Sequence, residues 1–201
     1  NDSCTSPLPA GIGNISEDPQ FVNITNQNFR LKLTSPCINA GNDTVTTAMT
    51  DIEGKTRIVG TVDMGAYEFQ PSPGYETWAL QRPAGLVAPD QLDKNGHPNL
   101  LKYATGSSPI FSDERARLNA VVTNDHLAIR FNRNTAATDV TMIVEGNNDL
   151  TNPSWVGIAT NANGTGWNSA FVIESGSTSP VSVKIQDPTG TNHFLRLRVI
   201  K

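Results

Sequence analysis

Turn-forming residues interrupt this chain so often that long helices are ruled out. Asn39-Ala-Gly-Asn-Asp43, Asp51-Ile-Glu-Gly54, Gly146-Asn-Asn-Asp149, Asn163-Gly164 and Pro188-Thr-Gly190 are all corners that tolerate left-handed backbone. Between them lie short runs in which apolar and polar side chains alternate, the period of a half-buried strand. Phe29, Leu31 and Leu33 alternate with Arg30 and Lys32, and Leu127, Ile129 and Phe131 alternate in the same way. A chain of 201 residues with 16 Gly and 13 Pro therefore reads as mainly β.

Three zones follow. Residues 1–70 hold few strand-like runs: Phe29 to Leu33, Ile58 to Val62 and Met64 to Phe69. These are too few to close a sandwich, but they suit the stacked corners of a solenoid whose terminal coils need neighbours. Residues 71–109 open on the linker Gln70-Pro-Ser-Pro-Gly74. Two short helices are predicted there, Tyr75 to Arg82 and Pro98 to Thr105, the second opened by Pro and closed by Gly106. Residues 110–201 carry seven runs: Leu118 to Thr123, Leu127 to Phe131, Val140 to Glu145, Ser154 to Thr160, Ser169 to Glu174, Val181 to Ile185 and Phe194 to Val199. Seven strands at this spacing predict an antiparallel β-sandwich of the fibronectin-III or immunoglobulin kind.

Charge narrows the partners. With 15 Lys and Arg against 19 Asp and Glu, the net charge of −4 offers no basic surface for nucleic-acid phosphates. No run approaches the ~20 apolar residues that cross a bilayer, so neither nucleic-acid binding nor membrane insertion is expected. Cys4 and Cys37, each in a Pro-containing turn, have no metal-ligand spacing. An even count in a Thr-, Asn- and Ser-rich chain suggests a disulfide in an oxidising compartment, worth about 3 to 4 kcal/mol by loop closure. Two unrelated buried thiols are the other reading.

Four motifs in order, Gly13 to Val22, Phe29 to Gly41, Asp51 to Val59 and Val62 to Phe69, resemble the C-terminal end of secreted bacterial right-handed parallel β-helix proteins of the choice-of-anchor type. The resemblance covers about residues 4 to 69 and implies that Asn1 falls within the last coils of a longer β-helix. Asn99-Leu-Leu-Lys-Tyr-Ala-Thr-Gly106 is similar to the hinge helix of modules that follow such helices. Val144 to Leu150 and Phe194 to Val199 are similar to their β-sandwich. The implied fold is the terminal coils of a right-handed parallel β-helix, short linker helices, then the sandwich. The implied setting is secreted or on the bacterial cell surface, with the upstream β-helix as partner and an anchoring or adhesin-like role.

Three groups of residues could carry chemistry. Asp51, Arg57, Asp63 and Glu68 form the densest charged cluster. Glycoside cleavage needs two carboxylates flanking a sugar bond. A β-helix site spans several coils, however, more than fit before Gln70, so the cluster is expected to be structural and the chain not an enzyme. Gln91, Asp93 and Asn95, followed by Gly96, keep the spacing of a calcium loop, but its twelfth position is Lys102, where a bidentate acid belongs. Calcium is therefore not expected, nor any other cofactor. Trp155 and Trp167 lie near Asn163 and other loop amides, which makes a sugar-stacking platform the main alternative: a carbohydrate-binding module serving a polysaccharide-degrading enzyme or binding a cell-surface glycan. Trp167 is the better candidate, since Trp155 stands in a strand-like run.

Overall fold

The computed structural model describes residues 2–83, 86–111 and 114–201, so Asn1, Ala84, Gly85, Ser112 and Asp113 lie outside the account. The chain is mainly β and divides into two compact units, Asn1–Ala88 and Pro89–Lys201. The segment 71–109 is shared between them, with helix α1 (Tyr75–Ala79) in the first unit and helix α2 (Asn99–Thr105) in the second.

The first unit has one regular sheet, the antiparallel pair β1 (Phe21–Asn23) and β2 (Asn28–Leu31). Cys4 and Ile15 form an isolated parallel bridge. No stack of parallel coils is present among the described residues, so the expected solenoid is not seen here. The runs Ile58 to Val62 and Met64 to Phe69 are not strands either. Met64 N donates to Cys37 O (3.0 Å), and several of their other N–H groups are taken by side chains. Val59 N donates to Glu68 Oε1 (2.9 Å), Thr61 N to Asn39 Oδ1 (2.9 Å), Val62 N to Asp43 Oδ1 (2.7 Å) and Phe69 N to Asp63 Oδ2 (2.6 Å). A backbone satisfied by carboxylates and amides has no need of a ladder partner. One buried cluster of the unit holds Leu31, Cys37, Ile38 and Met64, with Cys4, Ile15, Phe21, Ala40, Phe69 and Leu80 packed around it, and Val62, Tyr75, Ala79 and Val87 are also buried.

In the second unit all seven predicted strands form. β3 (Asn119–Thr123), β4 (His126–Arg133), β7 (Val172–Ser175) and β8 (Val181–Gln186) make a four-stranded sheet in the order β3-β4-β8-β7. β5 (Thr141–Asn147), β6 (Val156–Ala162) and β9 (Phe194–Ile200) make a three-stranded sheet in the order β6-β5-β9. Every pairing is antiparallel, consistent with a β-sandwich. Alternation determines which side chains go inward. Ile129 and Phe131 on β4, Met142 and Val144 on β5, and Val181, Val183 and Ile185 on β8 are all buried. Each contributes about 1.5 to 3 kcal/mol by leaving water.

Helix α2 ends at Gly106, whose φ of 76° is left-handed. Asn134 completes that end by donating from its backbone N to Ala104 O (2.8 Å) and from Nδ2 to Tyr103 O (3.1 Å).

Candidate functional site

The charged cluster of the first unit comes together as the sequence predicts, and its oxygens serve the main chain. Asp51 Oδ1 accepts from Glu53 N and Lys55 N, both at 2.9 Å, and its Oδ2 accepts from Glu68 N (3.1 Å). Asp63 accepts from Asn39 N (2.8 Å) as well as Phe69 N, while Glu68 Oε2 accepts from Asp63 N (3.0 Å). Arg57 closes the cluster: Nη2 donates to Gly65 O (2.8 Å) and Asp63 O (3.3 Å), and Nη1 lies 3.7 Å from Glu68 Oε2. Burial pushes Asp63 up to about 6, outweighing the two backbone N–H groups that favour its ionised form. Burial also acts to raise Asp51, but the N–H groups of Glu68 and Lys55 hold it below the usual carboxylate range. These carboxylates fasten loops to one another.

The loop opened by Gln91, Asp93 and Asn95 is closed by its own chain. Asp93 Oδ1 accepts from Asn95 N (2.8 Å) and His97 N (3.0 Å), and Gly96 takes the left-handed turn with φ of 80°. A cation is present, and it is the Lys102 ammonium, 3.5 Å from Asp93 Oδ2 on a side chain 1 % exposed. Lys102 Nζ also donates to Phe111 O (3.1 Å). His97 Nδ1 approaches the same Asp93 oxygen at 3.8 Å. The lysine at position twelve thus puts its charge where a divalent ion would need an acid. Among the described residues, no group of three or more His, Cys, Asp or Glu side chains is arranged to hold a metal ion.

The two tryptophans, both partly buried, have different neighbours. Trp167 turns toward the interior and packs edge-on against Phe131, ring centroids 6.0 Å apart. Its Nε1 is buried with no hydrogen-bond partner. Trp155 lies under the Arg196 guanidinium, 4.1 Å from the ring centroid, so one of its faces is covered. Asn163 is an exposed turn residue with φ of 51°, paired with Gly164. Near β6, a cleft of about 580 Å³ is lined by Thr160, Asn168, Thr189, Asn192 and the half-exposed Phe171.

Cys4 and Cys37, the pair expected to form a disulfide, carry free thiols in the structure. They nonetheless share the first unit's core, with Cys4 Sγ donating to Glu17 O (3.3 Å). Burial, reinforced by the neighbouring Cys4 thiol, pushes Cys37 up to about 12, which keeps it protonated at neutral pH.

A cluster the sequence reading passed over lies on β5 and β9. Glu145 accepts from Arg196 Nε (2.8 Å) and from Arg198 Nη2 (3.0 Å). Burial would raise Glu145, but the two guanidiniums hold it below the usual carboxylate range. The Arg-Leu-Arg alternation of Phe194 to Val199 was the available signal, since it puts both arginines on one face. No described helix is long and apolar enough to cross a membrane. Compared with protein-family models, with curated proteins and with solved structures, the chain matches none.

Proposed function

We propose that this chain is a non-catalytic terminal region of a secreted or cell-surface protein. Its first unit seats against an upstream right-handed parallel β-helix, and its sandwich supports anchoring or adhesion. One observation carries the reading: the first unit leaves much of its apolar surface in water. Ile12 is 90 % exposed, Met49 86 %, Val45 71 % and Ile52 68 %, beside the buried cluster of Leu31, Cys37, Ile38 and Met64. An upstream coil seated on the unit would take such side chains out of water. The acids of the unit are spent on backbone donors, which favours a structural role over acid–base chemistry. No metal or cofactor enters this reading, and Lys102 stands where calcium chemistry would need an acid.

Met49 supplies the test. Peroxide converts an exposed methionine to its sulfoxide. Mass spectrometry of the chain alone and of the same chain joined to its natural upstream coils should find Met49 oxidised several-fold more slowly in the longer protein. Equal rates would remove the proposal.

The second reading, glycan binding, is favoured by the cleft beside Phe171, where hydroxyl and amide groups line one apolar ring. A glycan array in which Phe171→Ala and Trp155→Ala leave every signal unchanged, or in which no glycan is bound, would dispose of it.

A further inference from the structure

The sandwich of the second unit has a gap beside β9. Its two sheets hold four and three strands, and β9 is the last strand of the smaller one, paired on one side with β5. Among the described residues, nothing hydrogen-bonds to the other edge of β9. The inner face records the same vacancy. Leu195, Leu197 and Val199 sit opposite Gly146, Val144 and Met142 and so point into the sandwich, yet all three are partly exposed, whereas Met142 and Val144 are buried.

Two grooves run along this strand. One, of about 310 Å³, lies between Leu118 and Ala120 on one side and Phe194 and Leu195 on the other. The other, of about 430 Å³, lies between Leu100 and Leu101 and the stretch Leu197 to Val199, with Asp90 also on its wall. The remaining edges differ. Thr160 on β6 exchanges hydrogen bonds with Asn168, donating to Oδ1 (2.7 Å) and accepting from its N (3.0 Å), while β7 has four residues and β3 five. β9 offers seven residues, without proline or bulge.

We propose that the free edge of β9 accepts an extended polypeptide strand carrying acidic side chains at alternate positions and apolar ones between. Register and charge select this occupant. Residues directly opposite on an added strand share a face with their partners. Those opposite Arg196 and Arg198 meet two half-exposed guanidiniums that share the single carboxylate of Glu145 on the β5 side, with Arg196 also stacked on Trp155, so the pair keeps one positive charge in excess for an acidic partner. Those opposite Leu197 and Val199 enter the grooves. A second copy of β9 is a poor occupant, because antiparallel pairing centred on Leu197 puts Arg196 against Arg198, and like charges directly opposite are destabilising. Added main-chain hydrogen bonds supply the affinity and the alternating side chains the specificity.

The test uses the full chain, ¹⁵N-labelled, with a synthetic peptide of alternating Val and Glu. Amide hydrogen exchange in β9 should slow at least about tenfold on adding the peptide. Replacing Glu by Lys, or N-methylating alternate peptide bonds, should abolish the effect, and added salt should weaken it. Equal protection by the Lys peptide, protection of β3 or β7 instead of β9, no protection at all, or concentration-dependent protection of β9 without peptide would each overturn the proposal.

Discussion

The two units satisfy the same backbone chemistry by opposite means. In the second unit, ladders of neighbouring strands pair the N–H groups and hydrophobic burial follows from alternation. In the first, Asp51, Asp63, Glu68, Asp43 and Asn39 do that work, reaching across up to 24 positions of sequence. A ladder depends on shape and apolar burial; a web of carboxylates depends on proton concentration as well. The first unit is therefore the one whose stability should respond to mild acid.

The largest effect expected from breaking this contrast is in the sandwich. Phe131→Ala removes a ring that is 1 % exposed and should cost about 3 to 5 kcal/mol. Thermal unfolding followed by Trp155 and Trp167 fluorescence should shift, while hydrogen exchange around Met64 stays unchanged; a shift in both would make the units one cooperative body. Lys102→Glu comes next. It strands Asp93 beside a second acid and should cost roughly 3 kcal/mol or more with chelator present. Calcium should recover part of that loss, because the twelfth ligand of the loop is then an acid, and a melting temperature indifferent to calcium would reject this account of the loop.

The pH response sharpens the comparison. Asp63 titrates at about 6 in the folded unit against 3.8 for the ordinary group, so the folded state holds the proton more tightly. The stabilisation is complete below about pH 4 and is lost as pH rises through 6, amounting to about 3 kcal/mol across that window. Hydrogen exchange in the first unit should quicken between those values and exchange in the sandwich should not. Glu145, Asp149 and Asp187 are all held below the ordinary range, so the sandwich weakens only as pH falls toward and below 4. The smallest effect is expected from Ile12→Ser. At 90 % exposure it should change the stability of the chain by less than about 0.5 kcal/mol, measured by urea unfolding. A larger loss would mean that Ile12 is part of the unit's own core.

How far the sequence could be read follows the same division. The seven sandwich strands were visible because alternation is local: Leu127, Ile129 and Phe131 announce their face within five residues. The first unit was not, because Ile58 to Val62 has the composition of a strand and the groups that occupy its N–H donors, Asn39, Asp43 and Glu68, lie elsewhere in the chain. Parallel coils were expected where, among the described residues, one antiparallel strand pair and isolated bridges at Cys4–Ile15 and Thr50–Thr56 are found. Of the candidate site, the acidic cluster and the Lys102 at the twelfth position of the loop were legible from residue type and spacing. The neighbours of the tryptophans, Phe131 and Arg196, were not legible because sheet pairing rather than sequence proximity brings them near. Glu145 was missed for the same reason: a lone acid acquires its two arginines only in the register of β5 with β9.

The Lys102 ammonium gives the loop a property that no dissolved ion could. Its positive charge is delivered by the next helix at the high effective concentration of an intramolecular group, so loop and helix must form together. The segment from Gln91 to Thr105 is thereby tied into one piece by a contact between its loop and its helix.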